Sequence, residues 1–253
     1  MDMSKIKMPP APPIRPDKSL AAFFGLMRNK EETSYVFDFS YNINGGMLHR
    51  TFERFARGPF YEQMVNDRRA IFRALDDRQR LRELPVGTVG RTYADFMDRE
   101  GLDTDGVAQS FRDKGLLTED FEREYPEYSA FTYWLNITHD MFHVLTGYNR
   151  DSLGELALLN FTSKITGNRG NKYLARMGAI RVKLEDPSLP VFKVVNNGGR
   201  MGRASADLLH VNFIDLLDRR LREVREELNI VPCPVYAALP QERLLALVQP
   251  QAA

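Results

Sequence analysis

Apolar side chains recur at three- and four-residue intervals along most of the chain, the spacing that places them on one face of an α-helix. In SLAAFFGLMRN, for example, Ser19 can cap a helix that carries a dense apolar face. The same periodicity predicts a series of helices: 19–29, 60–82, 91–100, from Asp103, from a Thr118 cap, 128–147, 152–165, from about 172, 203–228 and 240–248. The chain is therefore predicted to be mainly α-helical.

Stretches rich in proline and glycine separate these helices. LPVGTVG (84–90) and EDPSLP (185–190) break the helical pattern, and GNRGN (167–171) predicts a loop. VFKVV (191–195) predicts either a short strand or an extended loop, and NNGGRMG (196–202) predicts a flexible turn.

The N-terminus differs from the rest of the chain. The prolines of PPAPPIRP (9–16) disfavour both helix and central strand, so residues 1–17 are predicted to form a disordered tail. The remainder shows no internal repeat and no boundary between two domains. We therefore predict an all-α fold in which residues 18–253 form a single domain, a length sufficient to bury a substantial core.

Composition excludes several classes of protein. The 35 Lys and Arg residues are balanced by 34 Asp and Glu, so no basic footprint for nucleic acid is expected. Cys233 is the only cysteine, which excludes a disulfide framework and a thiolate metal cluster. No stretch approaches the roughly 20 apolar residues of a membrane span, and MDMSKIK lacks a signal-peptide core. We expect a cytoplasmic protein, either soluble or peripheral to a membrane.

The stretch from 128 to 149 is poor in charge. Asp140 is its only formally charged side chain, where about six would be usual for a chain of this composition. Its apolar residues follow one helical stripe, which Thr138 interrupts. A second, polar stripe lies beside it and comprises Thr132, Asn136, His139, Asp140 and His143. Solvent-exposed faces normally carry Lys, Glu and Arg, so this helix is expected to be buried on most sides.

The motif HDMFH (139–143) lies on this polar stripe. His139 and His143 are four residues apart and leave the same helical face, and Asp140, offset by about 100°, can still reach an ion near that face. Buried His and Asp must be paired, hydrogen-bonded or metal-bound. The motif therefore predicts a metal site, and the alternative is a polar strip on an ordinary helix. Asp140 stands where zinc peptidases of the HExxH type carry Glu, which disfavours a peptidase.

Glu155 follows His143 after eleven residues. On one continuous helix it would lie about 18 Å further along, but TGYNRD (146–151) predicts a turn that lets the chain fold back. Two interpretations stay open from the spacing. Glu155 is either a fourth metal ligand or the last residue of a capping box that begins at Ser152.

These residues resemble a known family. HDMFH with Glu155 resembles the zinc-binding motif of the coenzyme Q (ubiquinone) biosynthesis protein 4 family. LPVGTVGRTY (84–93) is similar to the Pro-x-Gly-Thr-x-Gly…Tyr segment of that family, and LREVREELNIVP (221–232) is similar to its ending. The resemblance implies an all-helical fold with zinc at four ligands: His139, Asp140, His143 and Glu155. Two imidazoles and two carboxylates also suit Fe²⁺ or Mn²⁺.

The resemblance also implies a function. Such proteins take part in ubiquinone synthesis at membranes, in an assembly with other ubiquinone-biosynthesis proteins. The implied reaction removes the carboxyl group from ring carbon 1 of a polyprenyl hydroxybenzoate precursor and replaces it with hydroxyl. The expected ligand is a prenylated quinone precursor or another isoprenoid lipid. The expected location is cytoplasmic, at the periphery of the inner membrane. A homodimer is one possible oligomeric state. One departure concerns residues 135–138, where the family usually carries Arg and Glu and this chain has LNIT.

Two other functions compete with this one. The first is a non-catalytic protein that binds prenyl lipid or acts as a scaffold, with a structural metal tying two helices together. The second is a metal phosphohydrolase, which needs further His and Asp ligands. Only His49 and His210 remain, and neither has a neighbouring His-Asp pair, so the phosphohydrolase is disfavoured.

Overall fold

The computed structural model describes residues 6–28, 34–113 and 117–246. Within these ranges the only strand-like feature is an isolated bridge between Thr88 and Arg220, so the predicted all-α fold is confirmed. The helices follow one another in this order: α1 (Pro16–Arg28), α2 (Ser34–Asn44), α3 (Met47–Ala56), α4 (Tyr61–Asn66), α5 (Ala70–Asp76), α6 (Arg78–Glu83), α7 (Val89–Glu100), α8 (Gly106–Asp113), α9 (Glu119–Glu124), α10 (Pro126–Ile137), α11 (His139–Thr146), α12 (Ser152–Thr166), α13 (Arg169–Glu185), α14 (Val191–Ala204), 3₁₀ helices at Leu208–His210 and Phe213–Leu216, α15 (Leu221–Glu227), α16 (Pro234–Ala237) and α17 (Gln241–Ala246).

The residues group into two compact units, each formed by three segments of the chain. Unit 1 comprises Met1–Pro10, His49–Leu145 and Asp207–Leu228, and unit 2 comprises Ala11–Leu48, Thr146–Ala206 and Asn229–Ala253. Residues 6–15 contain no helix, and α1 begins at Pro16, two residues before the predicted start of the domain at residue 18. The division into a tail at 1–17 and a single domain at 18–253 stays a prediction.

An aromatic cluster holds unit 1 together. Phe55 of α3 packs against Phe131 and Trp134 of α10, with ring centroids 4.9 Å apart in both pairs. Phe213 stacks on Trp134 and meets Phe142 of α11 edge-on, each at 5.8 Å. All five rings are buried. Because large aromatic rings dominate the energetics of a core, this cluster fixes the end of α10 and the start of α11.

Helix α12 is central to unit 2, where it packs against α13 and α14. A Cβ atom on Gly198 would overlap the carbonyl oxygen of Ala157, so the backbones of α12 and α14 are in direct contact there. The predicted strand or loop at 191–195 and the predicted turn at 196–202 are therefore wrong. Both stretches belong to the continuous helix α14, whose glycines allow a close helix crossing instead of a turn.

Two predicted long helices are wrong because short polar side chains divide them. The stretch 60–82 contains the three helices α4, α5 and α6, and the Asp77 side chain caps α6 by accepting from the Arg80 N–H at 3.1 Å. In the stretch 203–228, Asp207 caps the first 3₁₀ helix and Asn212 the second. Side chains of this type offer the backbone an alternative to a continuous helix.

Most of the other predicted helices are confirmed to within a few residues. Thr118 caps α9, because its hydroxyl accepts from the Phe121 N–H at 3.2 Å. Thr88 caps α7 in the same way after the glycine-rich break. Helix α13 begins at Arg169, so the predicted loop GNRGN is mostly the first turn of this helix. The predicted helix at 240–248 is confirmed as α17, and its last two residues lie outside the described part of the chain.

Candidate metal centre

The predicted helix 128–147 is divided at Thr138, and the new helix α11 begins with His139. The Thr138 hydroxyl donates to the Trp134 carbonyl at 2.9 Å, and the Asn136 amide donates to the Thr132 carbonyl at 2.7 Å. The two polar side chains of 135–138 are therefore bonded to their own helix. The break places His139 and Asp140 in the first turn of α11, where the helix dipole favours a carboxylate.

Three of the four predicted ligands come together on α11. One potential ligand atom from each of His139, Asp140 and His143 lies within 4.8 Å of the others. The His139 Nδ1 and Asp140 Oδ1 atoms are 3.2 Å apart, and the two imidazole centroids are 5.2 Å apart. His143 and Asp140 are 2% and 7% exposed, whereas 34% of the His139 side chain is exposed. The cluster is therefore buried on two sides and open at His139.

The donor set fits a divalent ion. Zinc binds imidazole nitrogen and carboxylate oxygen at about 2.0–2.2 Å, which places two ligands of one tetrahedral ion roughly 3.3 Å apart. The separation between His139 Nδ1 and Asp140 Oδ1 already has this value. Because all three potential ligand atoms lie within 4.8 Å of one another, His143 belongs to the same donor set.

Helix α7 covers part of the cluster. The Phe96 ring stacks on the His143 ring, with centroids 5.2 Å apart and an angle of 23° between the planes. One turn earlier lies Tyr93, which is fully buried. Burial, followed by the negative charge of Asp140, raises the pKa of the Tyr93 hydroxyl, so it stays protonated at neutral pH. Phe96 does not stand out in the sequence, because its spacing from Tyr93 and Met97 is that of an ordinary core helix.

The fourth predicted ligand lies near the start of α12, and its local structure corrects one interpretation. The N-cap of α12 is Asp151, whose carboxylate accepts from the N–H groups of Leu153 and Gly154 at 3.0 and 2.9 Å. Of the two interpretations of Glu155, the capping box that begins at Ser152 is wrong, because the N-cap is Asp151 and the third helical position is Gly154. Capping therefore does not explain the glutamate at 155.

A tyrosine from the C-terminal region anchors this helix start. The Tyr236 hydroxyl donates to the Asp151 carboxylate and accepts from the Asn149 N–H at 3.0 Å. This buried connection fixes the first turn of α12, from which Glu155 projects. Glu155 belongs to unit 2 and the His-Asp-His cluster to unit 1, so the role of Glu155 as a fourth ligand stays a prediction.

Arg225 holds the other end of α11. Its guanidinium donates to the carbonyl oxygens of Leu145 and Val144 at 2.8 and 2.9 Å. These carbonyls end a helix and have no intrahelical partner. Arg225 lies in the segment LREVREELNIVP, and its contacts tie that segment to the end of α11.

The chain is similar to known proteins of one family. Residues 18–234 match the model of a family described as coenzyme Q (ubiquinone) biosynthesis protein Coq4. The mitochondrial ubiquinone biosynthesis protein COQ4 of Uncinocarpus reesii is 30% identical over 210 residues, which cover 80% of this chain and 66% of that protein. The human COQ4 homologue is 28% identical over 193 residues, which cover 74% and 69% of the two chains.

A solved structure shares the fold. It is that of a protein assigned to ubiquinone biosynthesis from Nostoc punctiforme, with a TM-score of 0.59 and 21% identity over 85% of this chain and 97% of that chain. The matched region spans slightly less than two thirds of the length of the fungal relatives, at 66% and 65%.

Proposed function

Because the chain belongs to the Coq4 family of coenzyme Q (ubiquinone) biosynthesis proteins, we propose that it catalyses a metal-dependent decarboxylation of a polyprenyl hydroxybenzoate precursor. Hydroxyl replaces the carboxyl group at ring carbon 1. The reaction releases CO₂, and because the ring gains an oxygen atom, it also consumes an oxidant such as dioxygen. The observation that supports the proposal is the buried cluster of His139, Asp140 and His143.

The proposed ion is Zn²⁺, with Fe²⁺ or Mn²⁺ suited to the same donors. His139, Asp140 and His143 would hold it, with Glu155 as the proposed fourth ligand. When bound, such a cation supplies Lewis-acid stabilisation of negative charge on a substrate carboxylate or phenolate oxygen.

Side chains around the cluster have roles of their own in this proposal. Asp140 would bind the ion beside His139, since its Oδ1 atom lies 3.2 Å from His139 Nδ1. Phe96 covers one face of His143 and excludes water from it. The partly exposed His139 leaves one side of the cluster accessible, as a catalytic metal site requires and a closed structural site does not.

The alternative is a non-catalytic protein that binds prenyl lipid or acts as a scaffold for the other ubiquinone-biosynthesis proteins. In that case the metal would serve only to stabilise the fold. The two proposals differ in what a conservative change of a ligand does. A catalytic role predicts lost product with an intact fold, and a structural role predicts lost stability with unchanged pathway flux.

Glu155→Gln separates these two outcomes. The amide keeps the shape of the side chain but removes its charge, so we expect at least a ten-fold fall in ubiquinone when the variant replaces the native family member in cells. Its melting temperature is expected to stay within about 2 °C of the wild type. Glu242→Gln, on the exposed surface of α17 in the same unit, serves as the matched control. Normal ubiquinone levels with Glu155→Gln would contradict a catalytic role for this residue.

The proposed peripheral contact with a membrane is supported by the surface of unit 2. No helix in the described ranges is long and apolar enough to cross a bilayer. Helix α13 instead carries Tyr173, Ile180 and Leu184 on one exposed face, at 42%, 54% and 77% exposure. Arg169 and Arg176 occupy the same face by helical spacing and are also exposed. Apolar side chains flanked by arginine are typical of a helix that lies in a lipid interface.

The distribution of charge favours an anionic lipid surface. Unit 2 contains 15 Lys and Arg against 9 Asp and Glu, whereas unit 1 contains 20 against 25. Burial, together with the neighbouring cations Lys172, Arg203 and Arg176, lowers the pKa of Lys164. This concentration of positive charge around α13 would be relieved by anionic headgroups.

Vesicle sedimentation tests the membrane contact. We expect the double variant Ile180→Ser/Leu184→Ser to bind phosphatidylglycerol vesicles about ten-fold more weakly than the wild type, because two apolar side chains no longer enter the interface. The matched control is Val86→Ser/Val231→Ser, which removes apolar side chains of 73% and 69% exposure elsewhere. An equal loss of binding in both double variants would show that α13 is not the contact face.

A further inference from the structure

Asp151 controls the backbone at the start of α12 through both its side chain and its carbonyl group. One carboxylate oxygen, Oδ1, accepts from the N–H groups of Leu153 and Gly154 at 3.0 and 2.9 Å. The Asp151 carbonyl oxygen accepts from the Glu155 N–H at 2.9 Å, as an N-cap carbonyl does at the start of a helix. The position of the Glu155 backbone therefore depends directly on the position of Asp151.

The second carboxylate oxygen of Asp151 binds Tyr236, which belongs to the short helix α16. The Tyr236 hydroxyl donates to Asp151 Oδ2 and accepts from the Asn149 N–H at 3.0 Å. Both side chains are buried, since Asp151 is 6% and Tyr236 4% exposed. Burial raises the pKa of the Asp151 carboxyl, and the hydrogen bond from Tyr236 opposes this effect. Tyr236 therefore helps to keep Asp151 ionised, the form in which its side chain accepts all three hydrogen bonds.

Close packing leaves this contact little freedom to shift. A Cβ atom on Gly154 would overlap the Asn149 carbonyl oxygen and would lie 2.7 Å from the Tyr236 hydroxyl oxygen. The Tyr148 ring packs edge-on against the Tyr236 ring, with centroids 5.1 Å apart. The tyrosine is therefore held against the backbone at Gly154, one residue before Glu155.

We propose that Tyr236 is a positioning residue, whose hydroxyl sets the placement of Glu155 and hence the affinity of the proposed site for zinc. The inference rests on the proposed function, in which Glu155 is the fourth ligand. A functional site holds its groups to within about 0.5 Å of their productive positions. Without the hydroxyl, Asp151 would lose one of three partners in a buried position, and the turn before α12 would shift to compensate.

Zinc titration of the metal-free full chain, in competition with a chelator, measures this affinity without any assay of activity. We expect Tyr236→Phe to weaken zinc binding about ten-fold, the usual effect of removing a group that orients a ligand. The matched control is Tyr148→Phe, which removes another buried tyrosine hydroxyl of unit 2, one that donates to Asn197 Oδ1 at 3.0 Å. This control is expected to lose comparable stability and to keep the zinc affinity of the wild type.

Asp151→Asn tests the same contact from the other side. The amide oxygen can still accept from the N–H groups of Leu153 and Gly154, but the amide nitrogen cannot accept from the Tyr236 hydroxyl. This variant keeps the helix cap and is expected to weaken zinc binding in the same direction as Tyr236→Phe. Unchanged zinc affinity in both variants would overturn the proposal.

Glu155→Gln separates positioning from a general loss of stability. If Tyr236 acts through Glu155, Tyr236→Phe has no further effect on zinc affinity in a Glu155→Gln chain. The same factor of weakening in both backgrounds would show a purely structural role and overturn the proposal. Failure of the proposed function looks different, because zinc would then fail to bind the wild type, or would bind wild type and Glu155→Gln equally.

Discussion

Zinc is expected to raise the melting temperature of the wild-type protein and to leave that of His143→Ala unchanged. A ligand present at 100 times its dissociation constant stabilises the folded state by about 2.7 kcal/mol, which corresponds to roughly 5–10 °C for a chain of this size. His143 is the most buried member of the cluster, at 2% exposure. Replacing it with alanine removes one zinc ligand, so zinc is expected to bind the variant too weakly to raise its melting temperature.

A second histidine of unit 1 provides the matched control for this measurement. His210 lies outside the cluster, and its Nε2 atom is 2.8 Å from the Arg54 carbonyl oxygen. His210→Gln can keep that hydrogen bond, so this variant is expected to show the full zinc-dependent rise. The same rise in wild type and His143→Ala would show that zinc stabilises the protein from another site.

Gly198→Ala is expected to lower the stability of unit 2, because the added methyl group meets the backbone of a neighbouring helix. The new Cβ would overlap the carbonyl oxygen of Ala157 and lie 2.9 Å from its carbonyl carbon. Because these are backbone atoms, α12 and α14 must separate to accommodate the methyl group. Overpacking of this kind costs about 1–3 kcal/mol and sometimes more. Urea denaturation of the purified variant measures the loss.

Gly178→Ala is the control, because it introduces a comparable overlap with a different kind of atom. A Cβ on Gly178 would overlap Leu156 Cδ2, the end of a flexible side chain that can move. Replacing a helical glycine with alanine also gains about 1 kcal/mol of helix propensity. We therefore expect Gly178→Ala to change the free energy of unfolding by less than about 1 kcal/mol in either direction. An equally large loss in both variants would contradict the close backbone contact at Gly198.

Local signals in the sequence predicted much of the fold. Thr118 caps α9 as predicted, and Thr88, inside the predicted break at 84–90, caps α7. The cluster at 139–143 was also predictable, because three ligands within five residues of one helix need no information about the rest of the chain. The predicted helix 152–165 is confirmed as α12, because the spacing of its apolar residues is also a local signal.

Features that depend on partners far along the chain were not predictable. Gly198 suggests a turn in the sequence, and only its contact with Ala157 explains why it lies in a helix. Phe96 has the spacing of a core residue, and its stacking on His143 depends on how α7 packs. The net charge of +1 conceals the opposite charges of the two units, because each unit is assembled from separate segments.

The metal content of the purified wild-type protein tests the central claim most directly. The protein would be supplied with zinc, separated from unbound metal by gel filtration and analysed by inductively coupled plasma mass spectrometry. Our account predicts about one equivalent of zinc, or of iron or manganese, per chain. A wild-type protein that retains no metal after zinc has been supplied would contradict it. His139, Asp140 and His143 would then be a buried polar strip, and a protein that binds prenyl lipid without metal catalysis would be the better explanation.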